Sequence, residues 1–514
     1  MMRREYFKNM SNWDILSKLF ILLLSVFQIM RWRILPQFMD IFYHLLSGWG
    51  FIQAGGYSGW DFWQYAPFGR VNIYPPFFQI LLALLMKLGF NAIILAKFFE
   101  TTTPIIFLIV VWWFIRKHYS QSIAFFTLVT FGSAFSFHLS LMNHIPSTLV
   151  FIFGILALDQ MFKRDILRAS IILALCFYTH IGASWFFIVS FFTYALFDKQ
   201  YRKEIFLILL FALALALPIL IAQFSVLNFI TITGSRLGEK FFCQIKFIDY
   251  FLAAGGLFFV LKEKSRYYLF LSFLLASLIF LPYPYRFISC EGYFPIIILS
   301  AFFLLKLWGK WQTSIILRRI LISLVVLLLF FSPTLSLSKL ENKWVAVSGI
   351  KFSDSVLTSM LSAKGSTIWF PEDYLPAASL IKANSDEGDI IYSSLGIFGP
   401  VLGSVTGRAT ANGLLTEVKS SQRFDPILAS KITVLTNDLD DVFLKDLVKA
   451  YNLQKIGETR IFFIYKNPAT ELKTRVRKAN IPFWMILMII GAGVGVFLRG
   501  WRRNPTPDKM VKKN

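Results

Sequence analysis

Residues 38–82 read FMDIFYHLLSGWGFIQAGGYSGWDFWQYAPFGRVNIYPPFFQILL. The stretch lies between two apolar runs, yet it is crowded with groups that hydrocarbon excludes. Asp40 and His44 stand one helical turn apart, so on a helix they share a face. Gly55, Gly56, Ser58 and Gly59 break that helix. A stiff loop then carries Trp60, Asp61, Pro67, Gly69, Arg70, Tyr74, Pro75 and Pro76. An amphipathic interfacial helix explains the aromatic residues, because Trp and Tyr collect at membrane–water boundaries. It does not explain an acid placed directly after an apolar span.

The rest of the chain says what surrounds this loop. Of 514 residues, 56% are hydrophobic, 18% are aromatic and only 16% are charged. Soluble domains carry about 25% charged residues. Apolar runs of near-spanning length fall at about 15–31, 92–114, 121–137, 146–162, 168–182, 184–198, 204–223, 246–261, 267–282, 293–308, 317–335 and 482–498. A crossing needs about 20 residues. The first run has no small-residue cleavage site and leads into RWRILPQ, so it reads as a retained helix. The net charge of +23 suits cytoplasmic loops better than nucleic acid: Lys and Arg cluster after alternate spans, at 116–117, 163–168, 199–203, 262–266 and 306–319 and in the tail. With those clusters inside, both termini are cytoplasmic and the crossings are even in number. The run at 77–88 then lies in the interface or re-enters. Three cysteines without CxxC spacing argue against a disulfide framework or a zinc site.

Residues 336–480 differ in kind. They are polar, with β-rich runs at 389–394 and 460–466 and helical patterns near 373–384, 421–430 and 441–450. The expected architecture is a polytopic α-helical membrane protein of about 12 transmembrane helices. Residues 1–335 form the bundle, with a large first outer loop at 33–91. Residues 336–480 form a small extracytoplasmic α/β domain, and 481–514 form the final helix and a basic cytoplasmic tail. The plasma membrane is the expected location.

Sorting polar residues by side concentrates them outside. His44, His138, His144 and His180 fall near outer helix ends, together with Asp40, Trp60, Asp61, Arg70, Asn143, Arg236, Glu239, Tyr283, Arg286 and Glu291. Ionisable groups at one depth of a bundle are retained mainly for function, so the cluster points to a polar cavity opening outward.

The loop resembles the type C glycosyltransferase superfamily, membrane enzymes that use polyprenyl-phosphate-linked sugars, and within it relatives of the oligosaccharyltransferase catalytic subunit. These have an acid after the first span, a D-x-x-x-H-like helix, W-D, P-x-G-R and Y-P-P. Asp40, His44, Trp60 and Asp61, Pro67 with Gly69 and Arg70, and Tyr74 with Pro75 and Pro76 match in turn. Arg286 in LPYPYRF resembles the family's arginine for the lipid-linked phosphate, and His180 in FYTHIGASW its histidine before a small-residue turn. The resemblance implies a catalytic set of Asp40, His44 and Asp61. It also implies a substrate-binding set of Trp60, Arg70, Tyr74, Asn143, His144, His180, Arg286 and Glu291, with 224–244 a mobile segment over the site. Asp40 and Asp61 would offer oxygen ligands to a divalent cation, Mg or Mn; a metal-free route stays open. Two departures matter. The second outer loop, FHLSLMNHIPST, has Asn143 and His144 where the family offers an acid. YSSLG at 392–396 stands where oligosaccharyltransferases carry W-W-D-x-G. The resemblance thus implies a transferase taking its sugar from a polyprenyl-phosphate donor in the membrane lipid, with a glycan, a lipid or a protein as acceptor; the departure at 392–396 argues against N-glycosylation of a protein sequon and for a different acceptor. The competing class is a transporter or flippase of a lipid-linked substrate, which would need midplane broken helices and an internal repeat.

Overall fold

The computed structural model describes residues 11–33, 36, 40–134, 137, 144–226, 241–263, 267–310, 316, 319–320, 323–324, 334–339, 346–351, 371–414, 418, 420 and 422–488. Most of it is helix, for the reason that apolar runs demand: in hydrocarbon every backbone N–H and C=O must be satisfied within its own segment. Among the described residues, five helical stretches are long and apolar enough to cross a membrane: Asn12–Arg33, Ala92–His118, Ile145–Phe162, Lys199–Ser225 and Pro284–Gly309. Shorter apolar helices run between them, including Gln121–Ser133, Ile166–Thr179, Ile181–Phe197 and Tyr268–Phe280. The chain is a polytopic membrane protein. The run at 77–88 is an eleven-residue helix, Phe77–Lys87, about 16 Å long and too short to cross a core of about 30 Å. Most of the run at 317–335 (317–318, 321–322 and 325–333) and residues 489–498 of the last one lie outside the described residues.

The first outer loop is described continuously from residue 40 to residue 91. Helix α1 (Asp40–Ala54) opens on the expected acid and is followed by the short strands β1 (Gly56–Tyr57), β2 (Trp60–Asp61) and β3 (Arg70–Val71). Strands β2 and β3 form a hairpin. Inside α1, Gly50 admits the fully buried Trp63 ring: a Cβ there would sit 2.0 Å from a ring carbon. Gly50→Ala is therefore expected to cost about 1–3 kcal/mol by overpacking, read as a lowered Tm of the purified chain.

The later polar segment builds a five-stranded mixed sheet. Strands β4 (Ile390–Ser393), β5 (Ala409–Thr410), β6 (Ile432–Thr436), β7 (Gln454–Glu458) and β8 (Phe462–Lys466) lie in the order β7-β8-β6-β4-β5. The first two pairings are antiparallel and the last two parallel. Helices α2 (Pro371–Asn384), α3 (Phe398–Thr406) and α4 (Asp441–Ala450) accompany it. The helical pattern near 421–430 is not a helix: Asp425 accepts hydrogen bonds from the backbone N–H groups of Ile427 and Leu428 and from the Tyr451 hydroxyl. Such side-chain bonds compete with helical ones and favour a turn. Helix α3, FGPVLGSVT, carries two glycines and a proline and has no counterpart in the expected elements.

The sheet does not stand apart from the bundle. Ile41, Phe42 and Leu45 of α1 share one buried cluster with Phe398, Val401, Leu402, Ile432 and Val434. Ala66 N–H donates to Thr410 O at 3.0 Å and Thr410 N–H to Trp63 O at 2.9 Å. Residues 481–482 pair with β1. Within the expected mobile segment 224–244, residues 227–240 lie outside the described residues, while Phe241–Ile245 is a strand paired with Thr334–Lys339.

Candidate active site

Several elements bring their polar groups to one place. Helix α1 contributes Asp40 and, one turn on, His44. His144 precedes the helix Ile145–Phe162, and its Nδ1 lies 3.2 Å from Asp40 Oδ2. His180 occupies the extended break between Ile166–Thr179 and Ile181–Phe197; its Nδ1 accepts from the Ala183 N–H at 3.1 Å, which leaves the ring proton on Nε2. The short helix Pro284–Ser289 supplies Arg286, and the turn Glu291–Tyr293 supplies Glu291. Arg286 Nη1 donates to Glu291 Oε1 at 2.6 Å, and the Ser147 hydroxyl donates to the same oxygen at 3.1 Å. Tyr74 sits among these groups, its ring centroid 4.7 Å from that of His44 and 6.0 Å from that of His180.

Exposure gives the cluster its shape. Asp40, His144 and Arg286 keep 39%, 33% and 39% of their side-chain surface accessible, although protein crowds each of them. Groups both enclosed and accessible line a concavity. His44 and Glu291 are buried in its wall, and His44 Nδ1 and Glu291 Oε2 have no protein partner among the described residues. Such atoms are costly unless something bonds to them, so they are natural anchors for a hydroxyl-rich ligand. Only Nη1 of Arg286 is hydrogen-bonded among the described residues, which leaves the rest of the guanidinium fork for an anion.

Charge within the cavity is fixed by these contacts. Burial by itself pushes the Asp40 carboxyl up, but the His144 hydrogen bond and the nearby positive charge of His144 and Arg286 hold it below the usual carboxylate range. Burial pushes His144 down, yet its hydrogen bonds to Asp40 and Cys290 raise it well above an ordinary histidine. Burial drives His44 down to about 3, so its ring is neutral.

The Asp40–His144 pair sets a pH window. The depressed carboxyl contributes fully above about pH 4, the ordinary carboxylate value, and its share is lost as pH falls through the depressed one. The raised imidazole contributes fully below about pH 6.5, and its share is lost as pH rises through the raised value. The Tm difference between the native chain and His144→Gln is expected to be widest between about pH 4 and 6.5 and to narrow on the alkaline side. A difference independent of pH would mean that His144 carries no proton.

Asp61, Arg70 and Trp60 lie elsewhere. Asp61 and Arg70 form a buried ion pair at 3.0 Å, with side chains 2% and 4% exposed. Arg70 also donates to Val418 O at 2.6 Å and to Gln64 Oε1 at 3.3 Å. Asp61 accepts from the Gln64 backbone N–H at 2.9 Å and from its side-chain amide at 3.3 Å. Asp61 thus anchors Arg70, and Arg70 ties the outer loop to the later polar segment through Val418. Trp60 lies under the Arg477 guanidinium, 4.0 Å from the ring centroid. The expected pairing of Asp40 with Asp61 around a divalent cation does not fit this arrangement, since each carboxylate is engaged by a different cationic partner. Among the described residues, no group of three or more His, Cys, Asp or Glu side chains could hold a metal ion. Asn143, His138, Arg236 and Glu239 lie outside the described residues. Cys290 and Ser147 are site residues that motif reading passed over. The sequence signal for Cys290 is its position next to Glu291.

No family model matches the chain, and no curated protein resembles it in sequence. Solved structures do resemble it in fold. The crystal structure of the Archaeoglobus fulgidus oligosaccharyltransferase complexed with Zn and sulfate aligns with a TM-score of 0.53 at 13% identity, covering 87% of this chain and 73% of that one. The oligosaccharyltransferase AglB from the same organism, in complex with an inhibitory peptide and a dolichol-phosphate, aligns at 0.53 with 12% identity over 89% and 74%. The mycobacterial arabinofuranosyltransferase AftD aligns at 0.50 with 12% identity over 89% of this chain and 41% of that one. The chain has the type C glycosyltransferase fold.

Proposed function

We propose that this protein is an inverting membrane glycosyltransferase that moves a sugar or glycan from a polyprenyl-phosphate-linked donor to an acceptor at the outer face of the membrane. The observation that carries this reading is the partly accessible cluster in which the Asp40–His144 and Arg286–Glu291 pairs lie within reach of each other's charge, in a fold shared with transferases one of which was solved holding a dolichol-phosphate. The acceptor hydroxyl, oriented by Asp40, attacks the anomeric carbon from the face opposite the phosphate. The bond from that carbon to the phosphate oxygen breaks, and its electron pair leaves with the polyprenyl phosphate. The Arg286 fork offsets the charge that builds there. Asp40 then takes the acceptor proton. A carboxylate held at low pKa is a weak base, but glycosyl transfer passes through an oxocarbenium-like state. The attacking hydroxyl becomes strongly acidic as its new bond forms, so correct placement matters more than basicity. The unpartnered His44 Nδ1 and Glu291 Oε2 accept hydrogen bonds from sugar hydroxyls. These steps use only side chains of the chain itself.

The same reading has about twelve crossings, both termini in the cytoplasm, residues 336–480 outside, and the plasma membrane as the site. It is tested by incubating the purified chain in liposomes with polyprenyl-phosphate-linked sugars and envelope acceptors. Acceptor-dependent release of free polyprenyl phosphate is expected. Donor that is bound or translocated but never cleaved would instead favour the transporter reading.

A further inference from the structure

A second cavity, of about 320 Å³, is lined by Trp60, Pro67, Phe68, Gln422, Arg475 and Arg477. It shares no residue with the Asp40 site. Its walls come from three parts of the chain: the first outer loop, the turn region near Asp425, and the strap 473–482 that leads to the last helix. The strap is pinned at both ends. Upstream, the Thr474 N–H donates to Gly388 O at 2.8 Å and Lys473 Nζ meets Asp389 at 2.5 Å. Downstream, the N–H groups of Ala479 and Asn480 donate to Ala54 O and Tyr57 O, and Asn480 Oδ1 accepts from the Gly59 N–H at 2.8 Å. Arg475 and Arg477 therefore project from a backbone that is already placed, which lowers the ordering cost of binding. Neither guanidinium has a carboxylate partner among the described residues. Arg477 is held over Trp60 by a cation–π contact,. The indole is itself fixed by its bond to Phe68 O at 3.3 Å and by Gly69, whose φ of +69° and lack of a Cβ let the ring pass.

Two charged forks beside aromatic and proline faces, with an amide from Gln422, match a ligand that is anionic at one end and presents C–H and hydroxyl groups elsewhere. We propose that this cavity binds an anionic sugar, a hexose carrying a phosphate or carboxylate group, on the acceptor side of the enzyme. That the ligand is an acceptor sugar rests on the transferase reading; binding itself does not.

The test titrates the full chain in phosphatidylcholine nanodiscs with glucose 6-phosphate, glucuronate, glucose and inorganic phosphate. The first two are expected to bind at least roughly tenfold more tightly than glucose or phosphate, as charge-assisted bonds add to contacts with the ring. Arg475→Gln/Arg477→Gln is expected to abolish the difference without lowering Tm, since both side chains are exposed. Asp40→Asn is expected to bind as the native chain does while transferring about 10²–10⁴-fold more slowly, so failure of the cavity and failure of the transferase reading are separable. The proposal is overturned if glucose binds as well as glucose 6-phosphate, or if the double variant binds unchanged. It is also overturned if inorganic phosphate alone matches the sugars, or if phosphatidylglycerol in the disc displaces them and marks a lipid-headgroup site.

Discussion

Asp40→Asn is expected to lower glycosyl transfer by about 10²–10⁴-fold, the usual contribution of a positioned proton acceptor, equivalent to roughly 3–5 kcal/mol of barrier. The amide keeps the size and much of the hydrogen bonding of the carboxylate, so folding is not the variable. Two things change: the acceptor proton loses its destination, and His144 loses the negative charge that holds its own proton. The measurement is single-turnover release of polyprenyl phosphate at matched expression and Tm. Because Asp40 remains accessible in the cavity, donor binding is expected to survive, placing the loss in kcat. Unchanged turnover would remove Asp40 from the reaction and leave the Arg286–Glu291 pair as a binding site only.

The second large effect falls on stability. Arg70→Ala is expected to cost about 3–5 kcal/mol, because it strands the Asp61 carboxylate in a buried setting. It also abandons the carbonyl of Val418 and the amide oxygen of Gln64. Lys should not rescue it, since one ammonium cannot reproduce a planar fork facing three acceptors. Pairing Arg70→Met with Asp61→Leu should recover much of the loss, because removing both charges avoids the stranded one. The readouts are Tm and proteolysis near residues 60–76 and 410–425. If the double variant regains stability and also activity, Asp61 is structural. If stability returns and turnover does not, Asp61 takes part in the chemistry after all.

Much of the bundle is legible from hydropathy. The expected runs at 92–114, 146–162 and 204–223 appear as Ala92–His118, Ile145–Phe162 and Arg202–Ser225. The membrane makes this possible, because a chain in hydrocarbon has almost no alternative to continuous helix. The polar segment is less legible. Asp425 diverted 421–430 into a turn, and α3 formed despite its Gly and Pro content because its apolar residues are buried against α1. Packing there outweighs propensity.

The site divides along the same line. The sequence by itself determined that Asp40 and His44 share a helical face, which follows from local periodicity, and it pointed to His144, His180, Arg286 and Glu291 through the cost of charge in lipid. It could not say which acid meets which base. Asp40 with His144, Arg286 with Glu291, and Asp61 with Arg70 are pairings between elements that only tertiary packing brings together. Asp61 and Asp40 carry the same carboxylate within the same loop. Burial against Arg70 makes the first a strut, and an open cavity wall makes the second available for chemistry.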